Sequence, residues 1–314
     1  MDLLSTKQAS VEMIESVMFD LFISSTGFEE RCAVLVDKYT IQAKNKISLV
    51  SSKKHLNLFR HKNGKLFSKN DFSFIELSMD SNQPLLKYFE DFIVNNSEKD
   101  LDILVDYSGM TKVWYVGLLN FLADLDDFSN KVNVYFCYTP VEEFKAKKNK
   151  PIKIVESLNH PLKRKSNGRP TTLIIGLGIE HDRAHFLKEL INPDKIILLY
   201  PDPAYKSYVE MLFEINKGII GEVDMRNMIN YPLYDLDKTN EILTDLILDQ
   251  RLKSNIVVAS LGQKPFGLLA MLISLHYPDI DILRFKPGNI YTEYKKQTMV
   301  DPVIMKASFI GSEE

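Results

Sequence analysis

Two short polar loops carry the residue types best suited to binding an anion. One loop follows the apolar segment that begins at Phe19, and the other follows the segment that begins at Ile103. A glycine in each loop allows a ligand to approach the backbone closely, and a helix that begins there offers unpaired N–H groups to a phosphate. The residues expected to bind such a ligand are Ser25, Thr26, Gly27, Arg31, Ser108, Gly109, Thr111 and Lys112.

Acidic residues in the same loops have two interpretations. Glu29 and Asp106 are the candidate catalytic groups, because like charges in a partly buried cleft raise a carboxyl pKa and suit it to acid–base work. Alternatively, Glu29 or Glu30 caps the first turn of a helix, and Arg31 pairs with Asp106. The sequence leaves both interpretations open.

A second pair of loops repeats the first pair further along the chain. The stretches TTLIIGLGIEHDR and IVVASLGQKPFGLLAML of the second half match FDLFISSTGFEER and ILVDYSGMTKVWYVGLL of the first. Gly178 and Gly262 stand at nearly the spacing of Gly27 and Gly109, and Lys264 follows the second of them. Because repeats at a fixed spacing identify an architecture, these three residues are also expected to line a ligand site.

Strands and helices alternate in both halves. Continuous apolar strands such as ILVDY and IVVAS are typical of a parallel sheet that is buried on both faces, and amphipathic stretches between them predict helices. We therefore expect an α/β protein of tandem duplicated Rossmann-like domains, each an open, mostly parallel five-stranded sheet with helices on both faces. The expected divisions are a domain at 1–143, a charged linker at 144–169 and a second domain at 170–314.

Composition excludes several classes of protein. A net charge of −3 gives no strong signal for nucleic-acid binding, and no apolar run is long enough for a bilayer span. Two cysteines are too few for a disulfide framework, so a cytoplasmic protein is expected. His181 and His185 could share a helix face, but they lack a third ligand, so no metal site is expected. No cofactor is expected either.

The segment DYSGMTK (Asp106–Lys112) resembles the Asp-x-Thr/Ser-Gly-Gly-Thr-Lys loop of CARF domains. These are Rossmann-like sensors of cyclic oligonucleotides in prokaryotic antiviral systems. In that family the loop follows the fourth strand and works with the loop after the first strand. The resemblance covers roughly residues 17–141, and Met110 replaces the second glycine. The matching residues are Asp106, Ser108, Gly109, Thr111 and Lys112.

The second half departs from the CARF pattern. Ala259 aligns with Asp106, and the residues after Gly262 lack the Thr-Lys ending. CARF domains usually pair about a two-fold axis and bind a symmetric ligand. A fused, diverged tandem therefore implies an asymmetric ligand, or one working half and one supporting half. No effector domain follows the first half, which departs from the usual sensor–effector organisation.

Three functional classes follow from these observations. The first is a sensor or regulatory protein that binds a nucleotide or cyclic oligonucleotide, in keeping with a role in antiviral defence. The second is a nucleotide-processing enzyme in the same cleft, either a phosphodiesterase (ring nuclease) or an N-glycosidic hydrolase or transferase. The third is a non-catalytic interaction module. The expected partners are a nucleotide-type ligand and, in addition, a partner protein or a second copy of the chain. Since fold does not fix function, the sequence does not decide whether the protein is an enzyme.

Overall fold

The structure is a computed structural model that describes residues 1–52, 58–126, 128–141, 155–158, 168–179, 182–202, 206–285 and 300–311. The chain forms two compact units. The first unit comprises Met1–Glu143 and Glu293–Glu314, and the second comprises Phe144–Thr292.

Strands and helices alternate along most of the chain. The strands are β1 (Asp2–Ala9), β2 (Met18–Ser25), β3 (Gln42–Ser51), β4 (Ser73–Leu77), β5 (Leu101–Asp106), β6 (Val132–Tyr138), β7 (Val155–Ser157), β8 (Thr171–Gly176), β9 (Lys195–Asp202), β10 (Met228–Pro232), β11 (Asn255–Ser260), β12 (Asp281–Phe285) and β13 (Val303–Ile310). The helices are α1 (Val11–Ser16), α2 (Val34–Lys38), α3 (Leu58–Lys69), α4 (Gln83–Val94), α5 (Lys112–Ala123), α6 (Arg183–Ile191), α7 (Lys206–Ile220), α8 (Leu236–Arg251) and α9 (Lys264–His276). Short 3₁₀ turns lie at Glu30–Ala33 and Met225–Asn227.

Each unit is built on one mostly parallel sheet, which confirms the α/β class. Counted over the described residues, the first sheet has seven strands in the order β1-β13-β6-β5-β2-β3-β4, and the second has six in the order β10-β9-β8-β11-β12-β7. The expected count of five is the count of neither sheet. The additional strands β1, β13 and β7 are antiparallel to their neighbours.

The parallel strands follow the same order in both units. In the first sheet the chain moves outward from β2 through β3 to β4, then crosses to β5 on the other side of β2 and continues to β6. The second sheet follows the same course from β8 through β9 and β10, then across to β11 and β12. The strand order therefore reverses between β2 and β5 and between β8 and β11. Ligands of open α/β sheets bind at this point.

The chain end corrects the expected domain division. The sequence predicts a second domain at 170–314, but β13 pairs with β1 and β6 in the first sheet. Part of the expected linker is also structured, because β7 pairs with β12 of the second sheet. The rest of the basic linker sequence, 144–154 and 159–167, lies outside the described residues.

Both faces of the first sheet are covered. Three consecutive residues of β5, Ile103, Leu104 and Val105, are buried, and side chains alternate between the two faces of a strand. Leu104 belongs to an apolar cluster that also contains Leu35 of α2 and Phe67 of α3. Burial on both faces explains why this strand reads as a continuous apolar run. Among the helices that the structure describes, none is long and apolar enough to cross a membrane.

Candidate functional site

The two loops singled out in the first half lie side by side. Strands β2 and β5 are parallel neighbours, with Ile23 opposite Val105, so their loops leave the same edge of the sheet. A Cβ added to Gly27 would lie 3.6 Å from Gly109 Cα and 2.5 Å from Cys32 Sγ. A Cβ on Gly109 would lie 2.4 Å from Ser25 Oγ. The two glycines therefore allow the loops to cross in contact.

Several of the predicted hydroxyl residues are buried and hold the loops in place. Thr26 Oγ1 lies 2.7 Å from Ser48 Oγ of β3, and Ser108 Oγ accepts a 2.8 Å hydrogen bond from the Thr139 N–H. The Thr111 hydroxyl donates to the Met79 carbonyl at 3.2 Å. These contacts connect the candidate loops to the ends of β3, β4 and β6. The loops are consequently ordered by the residues that were expected to bind a ligand.

A further set of hydroxyls at this edge is buried and makes no hydrogen bond within the part of the chain that the structure describes. Ser24 and Ser25 are the last two residues of β2, and Thr139 follows β6; all three are 1% exposed or less. Their hydroxyl oxygens have no hydrogen-bond partner within the described ranges. The Tyr115 hydroxyl on α5 is buried in the same condition, and burial raises its pKa. Unsatisfied buried polar groups are uncommon in proteins and call for an explanation.

Asp106 folds back onto its own loop. Its carboxylate is buried, and Oδ1 accepts a 3.0 Å hydrogen bond from the Ser108 N–H. Cys137 is the strand partner of Asp106 on β6. Burial, followed by the nearby charge of Asp106, raises the pKa of the Cys137 thiol well above its ordinary value, so that thiol stays neutral. The Asp106 carboxylate thus shapes the turn that carries Gly109.

Arg31 pairs with Glu29 and Tyr138, not with Asp106 as one of the two interpretations has it. Its Nε donates to Glu29 Oε2, and a terminal nitrogen donates to the Tyr138 hydroxyl at 2.7 Å. The Arg31 side chain is only 12% exposed. Burial lowers the pKa of Arg31, but the charge of Glu29, with Tyr138 and Cys32, raises it by more, so the guanidinium remains charged. Glu29 is the residue before the 3₁₀ turn, but its side chain does not cap that turn.

The helix that follows the second loop begins at Lys112. Thr111 is its N-cap residue, and the Thr111 side chain makes no capping hydrogen bond to this helix. The first-turn N–H groups of α5 are therefore not satisfied by the N-cap side chain, which is the usual partner at this position. An anion placed before Lys112 would meet these groups, the helix dipole and the lysine charge together.

The second unit places its glycines in the same way but with different neighbours. A Cβ on Gly178 would lie 1.9 Å from the Leu261 carbonyl oxygen, and a Cβ on Gly262 would lie 2.5 Å from the Leu177 carbonyl oxygen. The two glycine loops of the second unit therefore pack against each other through main-chain atoms. Lys264 is the first residue of α9, as Lys112 is of α5. Glu180 and His181 of the repeated loop lie outside the described residues.

Two buried asparagines at this edge were missed by the sequence reasoning. Asn63 of α3 donates from Nδ2 to the Gly27 carbonyl at 3.2 Å and to the Glu29 carbonyl at 2.9 Å. Asn216 of α7 donates to the Gly178 carbonyl at 2.9 Å. Each asparagine lies on the helix after the second parallel strand and holds the first glycine loop. The sequence does contain a signal for them, because an asparagine follows Gly27 and Gly178 at a similar separation in the chain.

A guanidinium–aromatic stack borders the first loop. The Arg60 guanidinium lies 5.3 Å from the centre of the Phe28 ring, and Arg60 donates to the Ser51 carbonyl at 2.6 Å. Neither residue was selected from the sequence. Ser51 is the last residue of β3, so this stack lies at the same edge as the glycine loops.

A small cavity and the acidic, histidine and cysteine side chains were the remaining candidates for a site among the described residues. A cavity of about 40 Å³ in the first unit is set against the apolar cluster and not against the glycine loops, and it is lined by Phe22, Val36, Tyr39, Ile41, Lys46, Asn70 and Phe72. Within the ranges that the structure describes, no group of three or more His, Cys, Asp or Glu side chains could hold a metal ion.

Comparison with known proteins identifies no family: no protein-family model matches the sequence, and a search of curated proteins finds no match.

Proposed function

We propose that the first unit binds a nucleotide-type anion where the β2 and β5 loops meet. One observation carries the proposal: the buried hydroxyls of Ser24, Ser25 and Thr139 have no partner among the described residues, and they lie at the edge where the strand order reverses. Open α/β sheets bind ligands at that position. The start of α5, with Lys112, supplies an adjacent anion-binding element.

The CARF resemblance supports a sensory role for this site. The DYSGMTK loop follows β5, which is the fourth parallel strand of its sheet, and it contacts the loop after β2, which is the first. This is the arrangement that the resemblance implies. We therefore propose a sensor or regulatory protein for a nucleotide or cyclic oligonucleotide, with antiviral defence as the context that the resemblance suggests.

We further propose that the two units descend from a tandem duplication of a Rossmann-like domain. The shared order of the five parallel strands supports this origin, as do the two asparagines that bind the glycine-loop carbonyls. The second unit has Ala259 at the position of Asp106 and crosses its loops by backbone contact. In this proposal the first unit binds the ligand, and the second unit is the supporting half.

The geometry favours binding over turnover. Asp106 accepts a hydrogen bond from the Ser108 N–H, and Glu29 is paired with Arg31. A general acid or base must reach the proton that it transfers. These two carboxylates instead accept hydrogen bonds from the Ser108 N–H and the Arg31 guanidinium. We therefore assign Asp106 and Glu29 to loop structure.

The test is a ligand screen with a matched pair of variants. Thermal unfolding is followed with mononucleotides, dinucleotide cofactors and cyclic oligonucleotides; a ligand at 100 times its Kd stabilises the native protein by about 2.7 kcal/mol. Lys112→Ala removes a point charge suited to phosphate, so the affinity of the ligand should fall by about 1.5–3 kcal/mol. Lys264→Ala, at the first residue of α9, is the control and should leave the affinity unchanged.

Each outcome of this screen has a definite meaning. Equal losses for the two lysine variants would place the ligand in both units, and a loss confined to Lys264→Ala would place it in the second. Absence of any stabilising ligand would overturn the binding proposal and favour an interaction module. Ligand conversion that Asp106→Asn abolishes while binding persists would make the protein an enzyme.

A further inference from the structure

The stack of Arg60 on Phe28 has the features of a platform for a planar group. The guanidinium lies 5.3 Å from the ring centre, and both side chains are half-buried. Nucleobases stack on aromatic rings and on arginine planes in proteins that bind single-stranded nucleic acids. We propose that a nucleobase of the ligand stacks on this platform; the inference deepens the proposed nucleotide site and rests on it.

Both members of the platform are anchored by the backbone. Arg60 donates to the carbonyl of Ser51 at 2.6 Å. Phe28 lies between Gly27 and Glu29, and the carbonyls of those two residues both accept from Asn63. Arg60 and Asn63 are three residues apart on α3 and so lie on the same side of the helix. A platform fixed in this way loses little conformational entropy when a base binds.

The position of the platform fits a nucleotide that extends from the Lys112 loop. Strand β3 lies beside β2, on the side opposite β5. Neighbouring strands are about 4.8 Å apart, so the end of β3 lies about 10 Å from the end of β5. A nucleotide can span this interval with its phosphate at α5 and its base at the platform. In doubly wound folds the end of the second parallel strand is likewise where the nucleoside portion of a ligand is recognised.

Two variants test the platform without removing the proposed phosphate contacts. Phe28→Leu keeps an apolar side chain but loses the π-face, and Arg60→Lys keeps the charge but loses the planar guanidinium. Calorimetry measures the binding of AMP and cyclic triadenylate, which carry bases, and of ribose 5-phosphate, which does not. Each variant should weaken the base-containing probe by about 5- to 150-fold. Ribose 5-phosphate should bind each variant as it binds the wild-type protein.

A second guanidinium–aromatic stack provides the control. Arg251 lies 5.0 Å from the centre of the Tyr277 ring in the second unit, so Tyr277→Leu removes a similar contact from a different part of the molecule. This variant should bind every probe normally. Folding of the first unit is checked by the fluorescence of Trp114, the single tryptophan of the chain, which is buried in α5.

The outcomes separate the two proposals. Unchanged binding of AMP and cyclic triadenylate by both platform variants would overturn the stacking inference and leave the proposed site intact. Equal losses for base-containing and base-free probes would also overturn it, because the variants would then act through the loop. If the wild-type protein binds ribose 5-phosphate as tightly as it binds the nucleotides, the base makes no contribution. That result would overturn the stacking inference and leave the anion site in place. Wild-type protein that binds none of the probes overturns both proposals.

Discussion

The two glycine-loop pairs share a backbone arrangement and differ in what surrounds it. In the first unit the glycines face side-chain atoms, Cys32 Sγ and Ser25 Oγ. In the second unit they face the main-chain carbonyls of Leu261 and Leu177. The glycines are therefore required by loop crossing in both units, whether or not a ligand binds there.

Function must then be inferred from the groups around the glycines. The first unit gathers buried hydroxyls, the Glu29–Arg31 pair and the Asp106 turn at this edge. At the corresponding edge the second unit has the apolar residues Leu177, Leu261 and Ala259, with Ser260 as a buried hydroxyl residue between two of them. The difference indicates that a repeated glycine motif reports a conserved loop geometry, and that the polar side chains report the chemistry.

The largest expected effect tests the difference in glycine surroundings. In Gly178→Ala the new methyl group would lie 1.9 Å from the Leu261 carbonyl oxygen, and that backbone group cannot rotate away. The second unit should lose about 3 kcal/mol or more of unfolding free energy. Hydrogen exchange of β8 and β11 during a urea titration measures this loss.

Gly27→Ala is the matched variant in the first unit. Its methyl group would lie 2.5 Å from Cys32 Sγ, so the strain should be relieved by Cys32→Ala. We expect the double variant to be more stable than Gly27→Ala alone, as measured by Trp114 fluorescence in urea. A Gly178→Ala protein as stable as the wild type would show that the second pair of loops is not packed backbone to backbone.

The next effect compares two arginines at corresponding positions of the repeat. Arg31→Met leaves the carboxylate of Glu29 without its guanidinium. Loss of one member of a buried ion pair costs about 3–5 kcal/mol; because Glu29 is 25% exposed, we expect about 2–3 kcal/mol in Trp114-monitored unfolding. Arg183 lies 5.0 Å from the centre of the Phe285 ring, so Arg183→Met should cost about 1 kcal/mol, the scale of a cation–π contact.

A double variant separates charge from packing in this comparison. If the cost of Arg31→Met arises from the unpaired carboxylate, then Glu29→Gln with Arg31→Met should be more stable than Arg31→Met alone. Equal stabilities would instead attribute the cost to the lost hydrogen bond with Tyr138.

A smaller effect compares the two asparagines. Asn63 donates hydrogen bonds to two loop carbonyls. Asn216 donates to one loop carbonyl and to the Leu212 carbonyl of its own helix. Asn63→Ala should destabilise the first unit by about 1–2 kcal/mol and Asn216→Ala the second by about 1 kcal/mol, because buried acceptors lose their donor. Asn63→Asp keeps the shape but has no N–H to donate. A fully stable Asn63→Asp protein in urea titrations would contradict this account.

The sequence predicted the features that depend on local pattern. Apolar runs located β2, β5, β8 and β11, and the glycine spacing located the loops that follow them. Strand pairings and side-chain contacts were predicted less well, because they depend on distant parts of the chain. Strand β13 has an apolar pattern that would suit either sheet, and only its pairing with β1 and β6 assigns it to the first.

The same limit explains the errors within the site. One interpretation of the sequence pairs Arg31 with Asp106, but Glu29 is two residues away and competes for the guanidinium at little conformational cost. Ser25, Thr26 and Ser108 were expected to meet a ligand, but burial commits Thr26 and Ser108 to hydrogen bonds within the protein. Residue type predicted a polar edge, and tertiary packing decided which of the hydroxyls at that edge make hydrogen bonds within the described residues.

The smallest expected effect is a difference between the two units in how their stability depends on pH. It arises where the first parallel strand of each sheet begins, at the edge away from the glycine loops. Near the start of β2, the Asp20 carboxylate accepts from Lys44 at 2.8 Å, from Lys99, and from the Asp102 N–H at 3.2 Å. Near the start of β8, the second unit has an uncharged pair, Thr172 Oγ1 and Ser254 Oγ, 2.7 Å apart. The first unit should therefore lose the stabilisation at this position when Asp20 is protonated, whereas the Thr172–Ser254 pair does not titrate.

The sign of the pH effect follows from the direction of the pKa shift. Burial raises the pKa of Asp20, but the hydrogen bonds from Lys44, Lys99 and Asp102 lower it by more, so the folded pKa lies below the ordinary value. The stabilisation is present above the unfolded pKa of about 3.9 and is lost as the pH falls through the folded pKa. Because the Lys44 and Lys99 side chains are 55% and 43% exposed, we expect Asp20→Asn to cost only about 1 kcal/mol at pH 7. In Trp114-monitored urea titrations the difference from wild type should shrink below about pH 4, and a difference that grows on acidification would reverse the assigned direction of the Asp20 pKa.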